Sequence, residues 1–364
     1  MSAPGVNLPA APAAAPARGG WLRRLGRGAL ALVVLLFTAW GAGALWFQLG
    51  PGRAQFALLP WCLAGAAAAW ALLRRRPGRA GKTALAVFAA AALLLFAWWQ
   101  SLAPSHARAW ADDVARLLEA RVAGDQVTLR NVRNFDWRSE TDYTPRWETR
   151  ELDLRGLRSA DLILSYWMGP HIAHTLVSFG FDDGRRLVFS LEIRKERQEA
   201  FSAVGGFFRQ FEQVIIAADE SDIVKTRSNA RGEQVYLYPV KITRPQLRSL
   251  FLAYLNQAEQ LRRSPSFYNT LTSNCTTIIF HLARQIAPGL PLDYRLLLSG
   301  HFAEYAYDQG ALASTLPYKQ LQALGHINAR AQAAAAANPA AFSDAIRVGI
   351  PGAGAPDAAP SPAH

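Results

Sequence analysis

The 364-residue chain predicts an α+β domain carried behind three transmembrane helices. Three observations lead there. Long apolar runs crowd the first hundred residues, short stretches of strand character fill the middle, and two helical patterns follow them.

The apolar runs are Ala29–Gln48, Phe56–Leu73 and Thr83–Trp99, and Cys62 is their sole ionisable side chain. Each holds about 17–20 residues, enough for a helix to cross the hydrocarbon core. None alternates polar and apolar faces as a helix in a soluble core would. The charge of the chain supports the same reading. Its formal net charge is +12, yet residues 1–111 hold 11 Lys and Arg and no Asp or Glu, while the remainder carries 28 basic and 27 acidic residues. The excess is a topology signal, and no nucleic-acid partner is expected. Arg18, Arg23, Arg24 and Arg27 precede the first run, and Arg74, Arg75, Arg76, Arg79 and Lys82 fill the second connection, against a lone Arg53 in the first. Positive loops stay in the cytoplasm. Residues 1–28 are therefore expected to be a cytoplasmic N-terminus and residues 29–104 a three-helix anchor. Everything after Trp99 is expected in the periplasm, the whole being a multi-pass protein of a bacterial inner membrane.

Residues 105–329 are expected to form the exported domain. Ser105–Ala123 reads as an amphipathic helix, Val127–Val132 and Trp147–Leu154 as strands. "ADLILSYW", "HTLVSFGF", "RRLVFSLEIRK" and "QVYLYPVKI" are further strands, and Arg244–Leu261 and Thr276–Ile286 are helices. Residues 330–364, rich in Ala, Pro and Gly, are expected to be a disordered tail, with "FSDAIRVGI" the one stretch able to return to the core.

The segment "HTLVSFGFDDGRRLVFSLEIRK" predicts a hairpin, and its register decides what faces what. A three-residue loop, Asp182–Asp183–Gly184, pairs Phe179 with Leu187 and Val177 with Phe189. That register gathers the large apolar side chains on one face, whereas a two-residue loop scatters them. On the other face it sets Leu176 opposite Ser190 and His174 opposite Glu192, with Cβ atoms about 5 Å apart. Glu192 is then placed to orient His174 and favour its charged form.

Cys275 stands at the mouth of the second helix, in "TSNCTT", with Ser273 or Asn274 as N-cap. There the helix dipole lowers a thiol pKa, and first-turn N–H groups lack intrahelical acceptors, so they can receive an oxyanion. Cys62 lies in a membrane run and is no disulfide partner for it. Cys275 as nucleophile, His174 as base and Glu192 as orienter make a Cys–His–acid set. His281, six positions after Cys275, points elsewhere round the helix, and spacing alone leaves His301 open. His171 and His174 have no third ligand at metal spacing, so neither a metal nor a cofactor is expected.

The stretches "HTLVSFGF…FSLEIRKE", "FRQFEQVIIAADESDIVKTR", "VYLYPV" and "FYNTLTSNCTT" resemble the successive motifs of the Lnb N-terminal periplasmic domain family, over roughly Asn131 to Gln309. The order His, Glu, Cys is similar to that of circularly permuted, papain-like enzymes of the NlpC type. The resemblance implies a permuted papain-like domain with an antiparallel sheet and a nucleophile helix. It implies Cys275 as nucleophile and His174 as base, with Arg194, Tyr268 and Asn274 of the same motifs as candidate substrate-binding residues. It implies acyl transfer from membrane phospholipid through a Cys thioester to a lipoprotein or other amine. The alternatives are a cysteine peptidase or amidase acting on cell-wall peptides, and a non-catalytic periplasmic binding module. The charge bias gives a first test. A periplasm-specific reporter fused after Trp99 is expected to be active and one inserted at Arg76 silent; the reverse pattern refutes the orientation.

Overall fold

The structure is a computed structural model that describes residues 20–74 and 77–353. The chain forms two compact units that divide between Ala103 and Pro104.

The first unit contains α1 (Gly20–Leu49), α2 (Pro51–Leu73) and α3 (Arg79–Ser101). Each is long and apolar enough to cross a membrane. The expected connection between the first two runs is almost wholly helical, since Gly50 alone separates α1 from α2, at a φ of 72° that glycine tolerates. Thr38 and Trp61 fasten these two helices: the indole Nε1 donates to the Thr38 carbonyl at 2.8 Å. Gly65 lets them close, because a methyl group there would stand 2.2 Å from Thr38 Oγ1. Arg75 and Arg76, part of the charge argument, lie outside the described residues.

The second unit is α+β. Its strands are β1 (Glu119–Ala123), β2 (Gln126–Arg133), β3 (Asp136–Trp137), β4 (Tyr143–Thr144), β5 (Trp147–Asp153), β6 (Leu157–Tyr166), β7 (Ala173–Phe181), β8 (Arg186–Arg194) and β9 (Glu212–Ala218). After α4 (Glu220–Lys225) come β10 (Gln234–Pro239), α5 (Arg244–Arg263), α6 (Cys275–Ile286), α7 (Phe302–Asp308), α8 (Tyr318–Gly325), α9 (Asn328–Ala333) and α10 (Pro339–Ala345). The main sheet runs β1-β2-β9-β8-β7-β6-β10, with β5 also on β2. The expected sheet was antiparallel. The observed one is mixed, because β2 and β9 meet in parallel at Arg133 and Ala218.

The hairpin takes the three-residue loop. Phe179 pairs with Leu187, Val177 with Phe189 and Leu176 with Ser190, and Gly184 turns the chain at a φ of 82°. Unlike the one buried face expected, both faces of the sheet are covered. Val177, Phe179, Leu187 and Phe189 pack into a core with α5, α6, α7 and α8. Leu176, Val188, Val214 and Ile216 pack into a second core with α4, α9 and residues around α10. Burial on both sides also explains why β9 carries no alternation and escaped the sequence reading: all seven of its residues are buried.

Two expectations are corrected here. Ser105–Ala123 is not a helix. It holds one 3₁₀ turn, Asp112–Val114, and then β1, which folds back on β2 through Gly124. Helical periodicity lost to the strand pairing and to tertiary anchors, among them Ser105 N–H donating to Glu212 and Trp110 stacking under Arg194. Nor is the segment from 330 to 353 a disordered tail. Ala331, Phe342, Ile346 and Ile350 are buried in the second core, so "FSDAIRVGI" does return; residues 354–364 lie outside the described residues.

Arg347 locks that return. Its guanidinium bonds Asp161 of β6 at 2.6 Å and Glu220 of α4 at 2.7 Å, and all three side chains are buried. Burial alone would raise the Glu220 carboxyl, but Arg347 overrides it and holds it down to about 2. A depressed carboxyl contributes stability above its unfolded pKa, about 4.3, and that contribution is lost as pH falls toward the folded value. Arg347→Met is expected to destabilise the domain by about 3–5 kcal/mol near neutral pH, because the buried Glu220 and Asp161 carboxylates lose their nearest cation and only Arg186, 3.4 Å from Asp161, remains. Denaturant titration checks it, and a loss under about 1 kcal/mol would contradict the assignment.

Candidate active site

The polar run before α6 builds the platform for Cys275. Asn269 folds the loop by accepting the Leu271 and Thr272 N–H groups, each at 3.0 Å, and by exchanging backbone hydrogen bonds with Ser273. Asn274 is the N-cap: its Oδ1 accepts from Thr277 N–H at 2.9 Å, and Thr277 Oγ1 accepts from Asn274 N–H at 2.8 Å. Cys275 is therefore the first residue of the helix. Its N–H belongs to the first turn, which has no acceptors within the helix. Thr276 pins the helix start to β7 through a hydroxyl contact of 3.1 Å with Thr175.

The pairing of β7 with β8 stops at Leu176 and Ser190. Continued by one step, it would join Thr175 to Leu191. Beside that point the Thr175 backbone N–H acts on the Cys275 thiol and lowers its pKa. The opening between the strands thus admits the thiol, which remains buried at 5% exposure. His174 and that thiol act on each other electrostatically, the imidazole lowering the thiol's pKa and the thiolate raising the imidazole's. The His174 Nε2 lies 2.6 Å from Ser190 Oγ and 3.2 Å from Glu192 Oε1. Glu192 Oε1 also accepts from Ser190 Oγ at 2.7 Å and from Arg227 Nη2 at 2.9 Å. Arg227 reaches on to Glu233 at 3.3 Å, and Glu233 is held by the Ser165 hydroxyl.

The charges follow from these contacts. Burial and the Arg227 cation oppose protonation of His174, but Glu192 and the Cys275 thiolate outweigh them and push it up to about 9. Burial likewise opposes ionisation of Cys275; the imidazolium and the Thr175 N–H prevail and bring its pKa down. Glu192, for all its burial, is held well below the usual carboxylate range by His174 and Arg227. A thiolate–imidazolium pair backed by a carboxylate is the favoured state.

The sequence placed Cys275, His174 and Glu192 together, and the structure sets His174 3.2 Å from Glu192 and couples its charge to that of Cys275. Tyr268 flanks them. Its phenol is kept protonated by burial and by the charges of Cys275 and Glu192. Asn274 and Arg194 do not fit the substrate-binding role expected for them. Asn274 is the buried cap, its Nδ2 donating to Thr270 O at 2.7 Å. Arg194 is buried against Trp110 and donates to the carbonyls of Val114 and Ala115 at 3.0 and 2.7 Å. His301 lies instead 2.8 Å from His171, and His281 is exposed. Ser190, Arg227 and Tyr254 escaped the sequence reading. Ser190 had a signal, two positions before Glu192 on the same strand face. Arg227 sits in a π-helical turn, Thr226–Ala230, with no local mark. The Tyr254 hydroxyl is buried without a partner among the described residues and feels the charge of Cys275. A cavity of about 450 Å³ is lined by Glu233 with Tyr166, Trp167, Arg231 and Tyr236, and Cys275 is not part of its wall.

Residues 143–300 match the model of the Lnb N-terminal periplasmic domain family. This segment belongs to that family. His174, Glu192 and Cys275 all lie inside it. With its three membrane-type helices the chain is a membrane-anchored protein with a periplasmic domain. No curated protein and no solved structure matches the chain.

The paired pKa shifts set a pH window. The ion pair is populated above the lowered Cys275 pKa and lost as pH rises past the raised His174 value, about 9. In a Cys62→Ala background, alkylation of Cys275 is expected to gain its rate below pH about 8.5, the free thiol value. In His174→Ala the midpoint is expected to move up, because burial is then opposed only by the Thr175 N–H and the Thr276 hydroxyl. An identical profile in both proteins refutes the pairing.

Proposed function

We propose that the domain is a cysteine enzyme that takes an acyl chain from membrane phospholipid as a Cys275 thioester and passes it to an amine of a lipoprotein or other acceptor. One observation carries this reading: His174 of β7 meets Glu192 of β8 at 3.2 Å and shares its charge with Cys275 at the start of α6, thiol and imidazole each shifting the other. The order of those residues, and a nucleophile helix seated on a sheet, support the permuted papain-like architecture. The arginine distribution supports a cytoplasmic N-terminus and placement in a bacterial inner membrane.

The steps follow from the geometry. The Cys275 thiolate attacks the ester carbonyl carbon, and the developing oxyanion is received by first-turn N–H groups of α6. As the C–O bond breaks, His174 gives its proton to the departing lysophospholipid oxygen, leaving a thioester and a neutral imidazole. The acceptor amine then attacks the thioester, His174 takes the amine proton, and the C–S bond breaks to restore the thiolate and imidazolium. Glu192 stabilises the imidazolium in both halves, and Ser190 and Arg227 hold Glu192.

Full-length protein in vesicles with acyl-labelled phospholipid is expected to gain the acyl mass on Cys275. Cys275→Ser is expected to abolish it and His174→Ala to slow it by roughly 10²–10⁴-fold. Glu192→Gln is expected to weaken it while the domain stays folded. Cleavage of cell-wall peptides without acylation would favour the peptidase or amidase reading, and neither activity would leave a binding module.

A further inference from the structure

Three loops lead to or from the site residues: 167–172 precedes His174, 195–211 follows Glu192, and 264–274 precedes Cys275. They carry an apolar rim. Trp167, Met168, Phe201, Val204, Phe207 and Leu271 are 39–56% exposed. The loops touch one another. The Trp167 and Phe201 rings meet edge-on at 5.8 Å, and the Thr270 hydroxyl donates to the Ala203 carbonyl at 2.8 Å. Gly206 lies so close under Thr270 and Tyr268 that a methyl group there would stand 2.3 Å from Thr270 Oγ1. Six large apolar side chains gathered on touching loops form a patch of the kind that marks an interaction surface.

The chain itself names the occupant. Helix α3 is long and apolar enough to span a bilayer and ends at Ser101. Four residues later Ser105 is fastened to the second unit by its N–H bond to Glu212, at 3.0 Å. Four residue steps reach about 14 Å at full extension. Glu212 immediately follows the loop bearing Phe201, Val204 and Phe207. The apolar phase within reach is therefore lipid, and a mixed set of Trp, Phe, Met and Leu suits the headgroup boundary.

We infer that this rim docks on the bilayer, seating Trp167, Met168, Phe201, Phe207 and Leu271 at the boundary of headgroups and acyl chains. The inference concerns where the site faces, and it deepens the lipid reading above without depending on the thioester. Docking there brings the ester of a phospholipid to a thiol that water reaches poorly.

The test uses the full chain with Cys62→Ala and Cys275→Ser, so no chemistry at the site affects the readout. Single cysteines at Met168→Cys, Leu271→Cys and, as control, Val348→Cys carry an environment-sensitive fluorophore. The proteins are placed in vesicles of phosphatidylethanolamine and phosphatidylglycerol containing lipids spin-labelled in the acyl chain. Blue-shifted emission and quenching several-fold stronger at 168 and 271 than at 348 is the expected result. Equal quenching at all three positions overturns the proposal. So does burial of the probes in detergent that grows with protein concentration, which would assign the rim to a second copy. Acylation of Cys275 in the wild-type chain with an unquenched rim would leave the proposed chemistry standing and this surface refuted.

Discussion

A largely buried imidazole that carries a charge is stable only if opposite charges surround it. In this domain that condition organises the site. His174 is protonated because Glu192 and the Cys275 sulfur lie on either side of it, and Glu192 tolerates burial because Arg227 and His174 both bind it. Arg227 in turn is balanced by Glu233, fixed by Ser165. Charges of alternating sign thus run from the thiol toward the cavity beside Glu233. Removing any one member takes from each neighbour one of its opposite charges, and breaking a buried pair costs up to about 3–5 kcal/mol. The arrangement is an electrostatic frame first, and its suitability for nucleophilic chemistry follows from that.

The backbone provides the geometry. Strand pairing between β7 and β8 ends at Leu176 and Ser190, and the Thr175 N–H just beyond it helps to lower the Cys275 pKa. The start of α6 enters there, fixed by Asn274 and Thr277 at its cap and by Thr276 against Thr175. Two cores clamp the sheet from both faces, and Arg347 binds the C-terminal segment to Asp161 and Glu220 on the second face. The strands that hold His174 and Glu192 are therefore held on both sides. The three rim loops lie outside this clamp, on the same end of the strands.

Much of this was legible in the sequence wherever local chemistry dictated the answer. The hairpin register followed from where Phe179, Leu187 and Phe189 had to go, and it delivered His174 to Glu192. The cap and the thiol at the helix start followed from Asn274 and the apolar run after it. What escaped depended on tertiary context. β9 is buried on both faces and so carries no period. Glu119–Ala123 has helical spacing but pairs with β2. Ala-rich residues beyond 330 gave no periodic signal, yet Phe342, Ile346 and Arg347 hold them in place. Arg227 reaches Glu192 from 35 residues away in the chain, a contact that no local pattern encodes. The expectation for Arg194 failed for the same reason: its partners, Val114 and Ala115, lie about eighty residues upstream.

The central claim is the charge state of His174, and nitrogen NMR of its ring reads that state directly. With histidine labelled in ¹⁵N, and His174 assigned by its loss in His174→Ala, both ring nitrogens are expected to show the shifts of an imidazolium at neutral pH. Cys275→Ala is expected to lower the pH at which the ring loses its proton. A neutral His174 ring at pH 7, with shifts indifferent to Cys275→Ala, would contradict the ion pair and the account built on it.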